Sequence, residues 1–178
     1  MAGRVLVAYE SRGGATREVA EAVARVLLEE GLEPDVRSVR DRLRFSDYDG
    51  YVLGAPVRIG RWAPRMKKFV ADGAAAMRGK PVAVFAVGAS FAPPDEETAA
   101  DPEKAANAAD YADKCRERVH RWCDRLEPVA FATFPGVMRP EAFPRLLRRT
   151  TRNLPVRDAR DWDEIGAWAR EVAGKLRP

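Results

Sequence analysis

Cysteine and histidine are scarce in this chain: of 178 residues, two are cysteines, Cys115 and Cys123, and one is a histidine, His120. The cysteines fall about two turns apart in one predicted helix, too far for a strain-free disulfide. They also lack Cys-x-x-Cys spacing, which removes a redox pair or a zinc site. His120 lies amid Arg118 and Arg121 without the partners that a triad or metal centre needs, and reads as structural or exposed. No apolar run is long enough to span a bilayer. The start, Met-Ala-Gly-Arg-Val-Leu-Val, shows no apolar core and no small-residue cleavage site, so no secretory leader is expected and a reducing cytoplasm is the expected compartment. Blocks of like charge, internal repeats and low-complexity segments are missing as well. Lys and Arg number 31 against 27 for Asp and Glu, a net +4 that points to no DNA-binding arm and no membrane-coating patch, so no nucleic-acid partner is expected. Two phosphate motifs, Gly-x-Gly-x-x-Gly and Gly-Lys-Ser/Thr, are absent. With no metal cluster and no convincing general acid or base, the chemistry is expected to come from a bound cofactor.

What the chain does contain is an alternation of strand and helix patterns, in a length that suits one compact domain over 1–178. Val5 to Ala8 read as a first strand. Val19, Ala20, Val23, Val26 and Leu27 then recur at helical spacing until Gly31 stops the helix. Val36 and Val39 suggest a short second strand, and Tyr51 to Leu53 a buried third one ending at Gly54. The stretch from Gly54 to Pro64 is rich in glycine and proline and reads as a loop without regular structure, followed by a helix over about 64–71. Val82 to Val87 form a buried fourth strand closed by Gly88, Ala89 and Ser90. The segment 91–102 reads as a long exposed loop, solubilised by Asp95, Glu96 and Glu97. A helix over about 103–125 and a fifth strand over 129–134 follow. A short basic insertion at about 136–160 then precedes the closing helix, for which Asp161 is the candidate N-cap with Glu164 three residues on. The expected fold is α/β, a parallel sheet with helices on both faces. In such sheets ligands bind beyond the carboxyl ends of the strands.

The segment Tyr9–Thr16 is the candidate phosphate cradle. A helix N-terminus presents unpaired N–H groups and the positive end of the helix dipole. Gly13 and Gly14 permit close backbone approach, while Ser11 and Thr16 add hydroxyls. Hydrogen bonds to a charged group contribute roughly 1.5–3 kcal/mol each against about 0.3–2 for the dipole, so the donors dominate. An ordinary strand-to-helix turn, or a site for another phosphate, remains the alternative.

The residues Ser11-Arg12-Gly13-Gly14-Ala15-Thr16 resemble the phosphate loop of flavodoxins, Ser/Thr-x-Thr-Gly-x-Thr, with Gly13 in place of the middle threonine. The resemblance covers the whole chain at the level of pattern. It implies a five-stranded parallel sheet of order 2-1-3-4-5 and FMN as cofactor. Ser11, Arg12, Gly13, Gly14, Ala15 and Thr16 would bind its phosphate. Ala55, Pro56, Val57, Arg58, Ile59, Gly60 and Trp62 would line one side of the flavin ring, and Gly88, Ala89, Ser90 and Phe91 the other. A narrower resemblance rests on Ser11-Arg12, Thr16-Arg17-Glu18, Gly54-Ala55 with Arg58 and Gly60, and Asp161-Trp162 with Ala169-Arg170-Glu171. These stretches are similar to menaquinone-dependent protoporphyrinogen IX dehydrogenases, which carry an extra segment before the last helix. That implies a porphyrinogen substrate and a quinone acceptor. The other reading is a flavodoxin that shuttles electrons between proteins.

Several residues keep two readings. Trp62 and Phe91 are either rings for the flavin or packing residues. Arg58 and Arg61 are either contacts for a substrate carboxylate or solvated arginines. Arg145, Arg148, Arg149 and Arg152 form a basic stripe on a predicted short helix, suited to the inner face of a cell membrane or simply solvated.

Overall fold

The computed structural model describes residues 3–58, 61–138 and 156–177. Strand β1 (Arg4–Tyr9) leads through the glycine-rich turn into α1 (Ala15–Glu29). β2 (Glu33–Ser38), β3 (Gly50–Arg58), the two-residue β4 (Arg61–Trp62) and α2 (Pro64–Met77) follow. β5 (Val82–Gly88) is succeeded by α3 (Glu96–Ala100) and α4 (Pro102–Cys123). β6 (Ala130–Pro135), β7 (Val137–Met138), β8 (Arg157–Asp158) and α5 (Trp162–Leu176) complete the order. The parallel strands run β2-β1-β3-β5-β6, which is the expected 2-1-3-4-5 once the short hairpin strand β4 is set aside.

Apolar periodicity explains the two layers of the core. One side of the sheet packs Val19, Ala20, Val23 and Leu27 of α1 and Ile165, Ala169 and Val172 of α5 against Val5, Val7 and Phe85. On the other, Met66, Phe69 and Val70 of α2 and Cys115, Val119 and Cys123 of α4 cover Leu6, Leu53, Val84 and Ala86. β5 is buried along its whole length, as a strand covered on both faces must be. Gly31 stands at φ 84° just past α1, a left-handed stop that a side chain would strain.

Three expectations are corrected. The Gly54–Pro64 stretch is not irregular: β3 continues to Arg58, and Val57 and Arg58 pair antiparallel with Trp62 and Arg61. Proline is tolerated because Gly54 directs its carbonyl at β1, where it accepts from Glu10 N–H at 2.9 Å. Two residues on, Pro56 directs its nitrogen the same way, past the end of β1, where no ladder donor is needed. The 91–102 segment is not simply an exposed loop, since Phe91 is buried and α3 forms within it. Asp95 does more than solubilise: its carboxylate accepts from Thr98 N–H at 2.9 Å and caps α3. The helix predicted to end near 71 runs to Met77.

The basic stripe Arg145–Arg152 and residues Ile59 and Gly60 lie outside the described residues. The two ends of the 136–160 segment are described: β7 and β8 pair antiparallel, Val137 with Asp158 and Met138 with Arg157. Asp161 caps α5 as expected, accepting from Asp163 N–H at 3.0 Å and Glu164 N–H at 2.9 Å.

Candidate functional site

The three loops singled out in the sequence come together at the carboxyl edge of the sheet. Tyr9 lies opposite Gly54, and Pro56 opposite Val87. Beyond these positions lie Ser11–Thr16, the β3–β4 hairpin and the turn Ala89–Phe91.

The first loop ends in an uncapped helix. Gly14 occupies the N-cap of α1 at φ 89°, ψ −29°, a left-handed conformation suited to glycine, and no side chain caps the helix. The first helical bond runs from Glu18 N–H to Gly14 O at 3.0 Å, so the N–H groups of Ala15, Thr16 and Arg17 precede the ladder. α3, α4 and α5 instead spend an aspartate on this task. The Ser11 hydroxyl oxygen accepts from Gly14 N–H at 3.0 Å, which folds the loop and leaves the hydroxyl proton to donate elsewhere. Thr16 is buried in the first turn, and Arg12 is exposed at the rim. Converging N–H groups, two hydroxyls, a left-handed glycine and a nearby guanidinium fit a phosphate monoester such as that of FMN.

In the hairpin, Ala55 and Val57 are buried, Pro56 and Arg58 half-buried, and Arg61 exposed. Burial, and then the Arg12 charge, hold the Arg58 guanidinium below its ordinary range, while Glu10 acts in the opposite direction. Trp62 is buried at the head of α2, its ring 4.6 Å from that of Trp122. Its Nε1 has no hydrogen-bond partner among the described residues. In the third loop Ala89 is exposed and Ser90 half-buried, whereas Phe91 folds under its own turn. A Cβ on Gly88 would meet the Phe91 ring at 3.2 Å, and the Arg116 guanidinium lies 5.4 Å from the ring centroid.

Sequence reasoning overlooked two features beside these loops. Glu10 is buried at 4 % exposure, and its Oε2 accepts from Met66 N–H in the first turn of α2 at 3.1 Å. A charged residue ending an apolar strand was the available signal. The second is Arg160, whose guanidinium binds Glu18 in the first turn of α1 and Asp158 in β8, and stacks 4.6 Å from the Trp162 ring. The bond to Asp158, and that to Glu18 after it, outweigh burial and raise its pKa above the ordinary arginine value. The β8–α5 junction is thereby tied to the phosphate-loop helix. It is also tied to the third loop, through Gly136 N–H on Gly88 O at 3.1 Å and Arg157 on Pro93 O at 2.7 Å. No pattern in the sequence announces pairing between residues 142 positions apart. His120 is exposed and pairs with Asp124 at 2.8 Å, and both cysteines are free and buried.

Comparison with known proteins adds the family context. The flavodoxin domain matches residues 6–154. The chain is 26 % identical over 183 aligned residues to the protoporphyrinogen IX dehydrogenase (quinone) of Escherichia coli strain K12, covering 96 % of this chain and 94 % of that one. A flavodoxin from the domain Archaea superposes with a TM-score of 0.57 at 16 % identity, over 97 % of this chain and 98 % of the other. The rubredoxin oxygen:oxidoreductase of the anaerobe Desulfovibrio gigas superposes with a TM-score of 0.60 at 11 % identity, over 97 % of this chain and 36 % of that larger one.

Proposed function

This chain belongs to the flavodoxin domain family, and we propose that it is an FMN-dependent oxidoreductase of the protoporphyrinogen IX dehydrogenase type, taking electrons from a porphyrinogen and delivering them to a quinone. FMN is the cofactor. When bound it supplies reversible electron and proton transfer at its ring. The observation that carries the enzyme reading is the extent of the likeness to the dehydrogenase. At 96 % of the chain it must reach past residue 154, where the family match ends, and so into the end of the insertion and α5.

The placement of the residues supports the following roles. The N–H groups of Ala15, Thr16 and Arg17, with the hydroxyls of Ser11 and Thr16, hold the phosphate, and Arg12 lends its charge from the rim. The backbone of Ala55 to Arg58 lines one side of the flavin and that of Gly88 to Ser90 the other, with Trp62 and Phe91 packed behind their loops. Arg58 and Arg61 border the opening and grip the propionates of the porphyrinogen through charge-assisted, bidentate hydrogen bonds. No described helix is long and apolar enough to cross a membrane. Arg145, Arg148, Arg149 and Arg152 supply a peripheral contact with the anionic inner face of the cell membrane, where a quinone would be met.

The test is turnover. FMN-loaded protein is expected to oxidise protoporphyrinogen with a menaquinone analogue as acceptor. Absence of turnover, combined with fast reduction of a redox protein partner, would establish an electron carrier instead.

A further inference from the structure

Glu10 and Thr16 are the non-aromatic polar residues that the described chain buries, and both lie in the Tyr9–Thr16 segment. Thr16 belongs to the phosphate site, whereas Glu10 has no part in it so far. A carboxylate removed from water is costly unless it is hydrogen-bonded and charge-balanced. A short side chain at the N-cap would have started α2 far more simply. Ala63 stands there instead, with no side-chain cap, and the acceptor for Met66 N–H arrives from 56 positions away.

The position explains what this arrangement accomplishes. Glu10 N–H donates to Gly54 O at 2.9 Å, extending the β1–β3 ladder one residue beyond Tyr9. Its side chain then reaches the start of α2, the element that follows the β3–β4 hairpin. One residue therefore contacts both loops, immediately before Ser11 on one side and just beyond Trp62 on the other. Its charge also favours the ionised guanidinium of Arg58, which burial and the Arg12 charge disfavour.

We propose that Glu10 is a positioning residue of the cofactor site: it fixes the phosphate loop against the ring-side loop through the first turn of α2, and its negative charge offsets Arg12 and Arg58 so that the flavin is held in a less positive field. This rests on the FMN site proposed above. With Glu10 ionised, the trio Arg12, Glu10 and Arg58 carries one net positive charge; with glutamine at position 10 it carries two. Reduction adds negative charge to the flavin, so a more positive surround favours the reduced form.

The experiment measures FMN affinity of the apoprotein by fluorescence quenching and the flavin midpoint potential by spectroelectrochemical titration, for wild type, Glu10→Gln, Glu10→Ala and Arg58→Gln. Glu10→Gln keeps an oxygen that can accept from Met66 N–H, so its affinity for FMN should stay within about threefold of wild type. Its midpoint should move positive, raising the ratio of reduced to oxidised flavin at least threefold at the wild-type midpoint. Arg58→Gln should shift the midpoint negative, and Glu10→Ala, which loses the link as well, should bind FMN at least tenfold more weakly. A midpoint in Glu10→Gln that is unchanged or moved negative overturns the proposal, as does full FMN affinity in Glu10→Ala. If circular dichroism shows the position 10 variants unfolded, an unshifted potential in Arg58→Gln overturns it. Wild type that binds FMN but does not oxidise protoporphyrinogen refutes the substrate reading alone and leaves these potentials readable.

Discussion

Thr16 is buried in the first turn of α1, next to N–H groups that no helical carbonyl can reach. A hydroxyl donating to a phosphate in that place makes a charge-assisted bond, so Thr16→Ala should weaken FMN binding by about 1–3 kcal/mol, whereas Thr16→Ser should keep most of the affinity. Fluorescence titration of the apoprotein checks both, and an unaltered dissociation constant in the alanine variant would move the phosphate away from this loop. Two buried acids weaken the fold at alkaline pH. Burial pushes the Cys123 thiol from 9.0 up to about 12, and burial followed by the bond to Asp35 pushes the Tyr48 hydroxyl from 10.0 to about 12. In the unfolded chain both lose their protons at the lower values, so between about pH 9 and 12 the unfolded state binds fewer protons than the native one. Stability is therefore fully present below about pH 9 and falls as pH rises through that window. Urea midpoints measured across it should decline, and Cys123→Ala should decline less steeply than wild type.

β3 is the element on which the site's geometry turns, because it borders β1 on one side and β5 on the other and then supplies the hairpin. Gly54 lies opposite Phe85, and a Cβ there would come within 2.0 Å of the phenyl ring. Phe85 cannot step aside easily, since it is wedged against Phe134 and Trp168 at centroid distances of 6.1 and 5.8 Å. Gly54→Ala should therefore cost about 1–3 kcal/mol or more of stability and disturb the hairpin together with it, readable as a lowered urea midpoint alongside weaker FMN binding. The same strand shows where sequence patterns carry far and where they stop. Continuous apolar runs announce β1 and β5, and Asp161 announces α5, since burial and capping each impose a local signature. The run of β3 through Pro56 is hidden, because the tolerance of that proline depends on β1 ending at Tyr9, a fact about a neighbour. The pairing of β7 with β8 is hidden for the same reason. In the candidate site, the glycines and hydroxyls of the first loop were legible, but the reach of Glu10 to Met66 and the junction of Arg160 with Glu18 exist only once the chain is folded.

Across the molecule, charge separates a small-molecule enzyme from a protein-to-protein carrier. The chain carries a net +4, and Arg12, Arg58 and Arg61 add positive charge where the phosphate loop meets the hairpin. Under the proposed function, a porphyrinogen bearing two ionised propionates would be drawn to that edge, whereas a neutral quinone would not. Salt screens such attraction, with a Debye length of about 10 Å at 0.1 M and 3 Å at 1 M. kcat/KM for the porphyrinogen should therefore fall with ionic strength, by roughly tenfold or less between 0.01 and 0.5 M, while kcat/KM for the quinone analogue stays flat. Arg61→Gln should flatten the first dependence and leave the second untouched, because the exposed Arg61 carries a charge that an anionic substrate feels and a neutral quinone does not. A porphyrinogen rate indifferent to salt, together with a strong salt dependence for electron transfer to an acidic protein, would mark the arginine edge as a docking face for a redox partner. The fold serves both functions, so this contrast between two ionic-strength profiles discriminates where the shape of the molecule cannot.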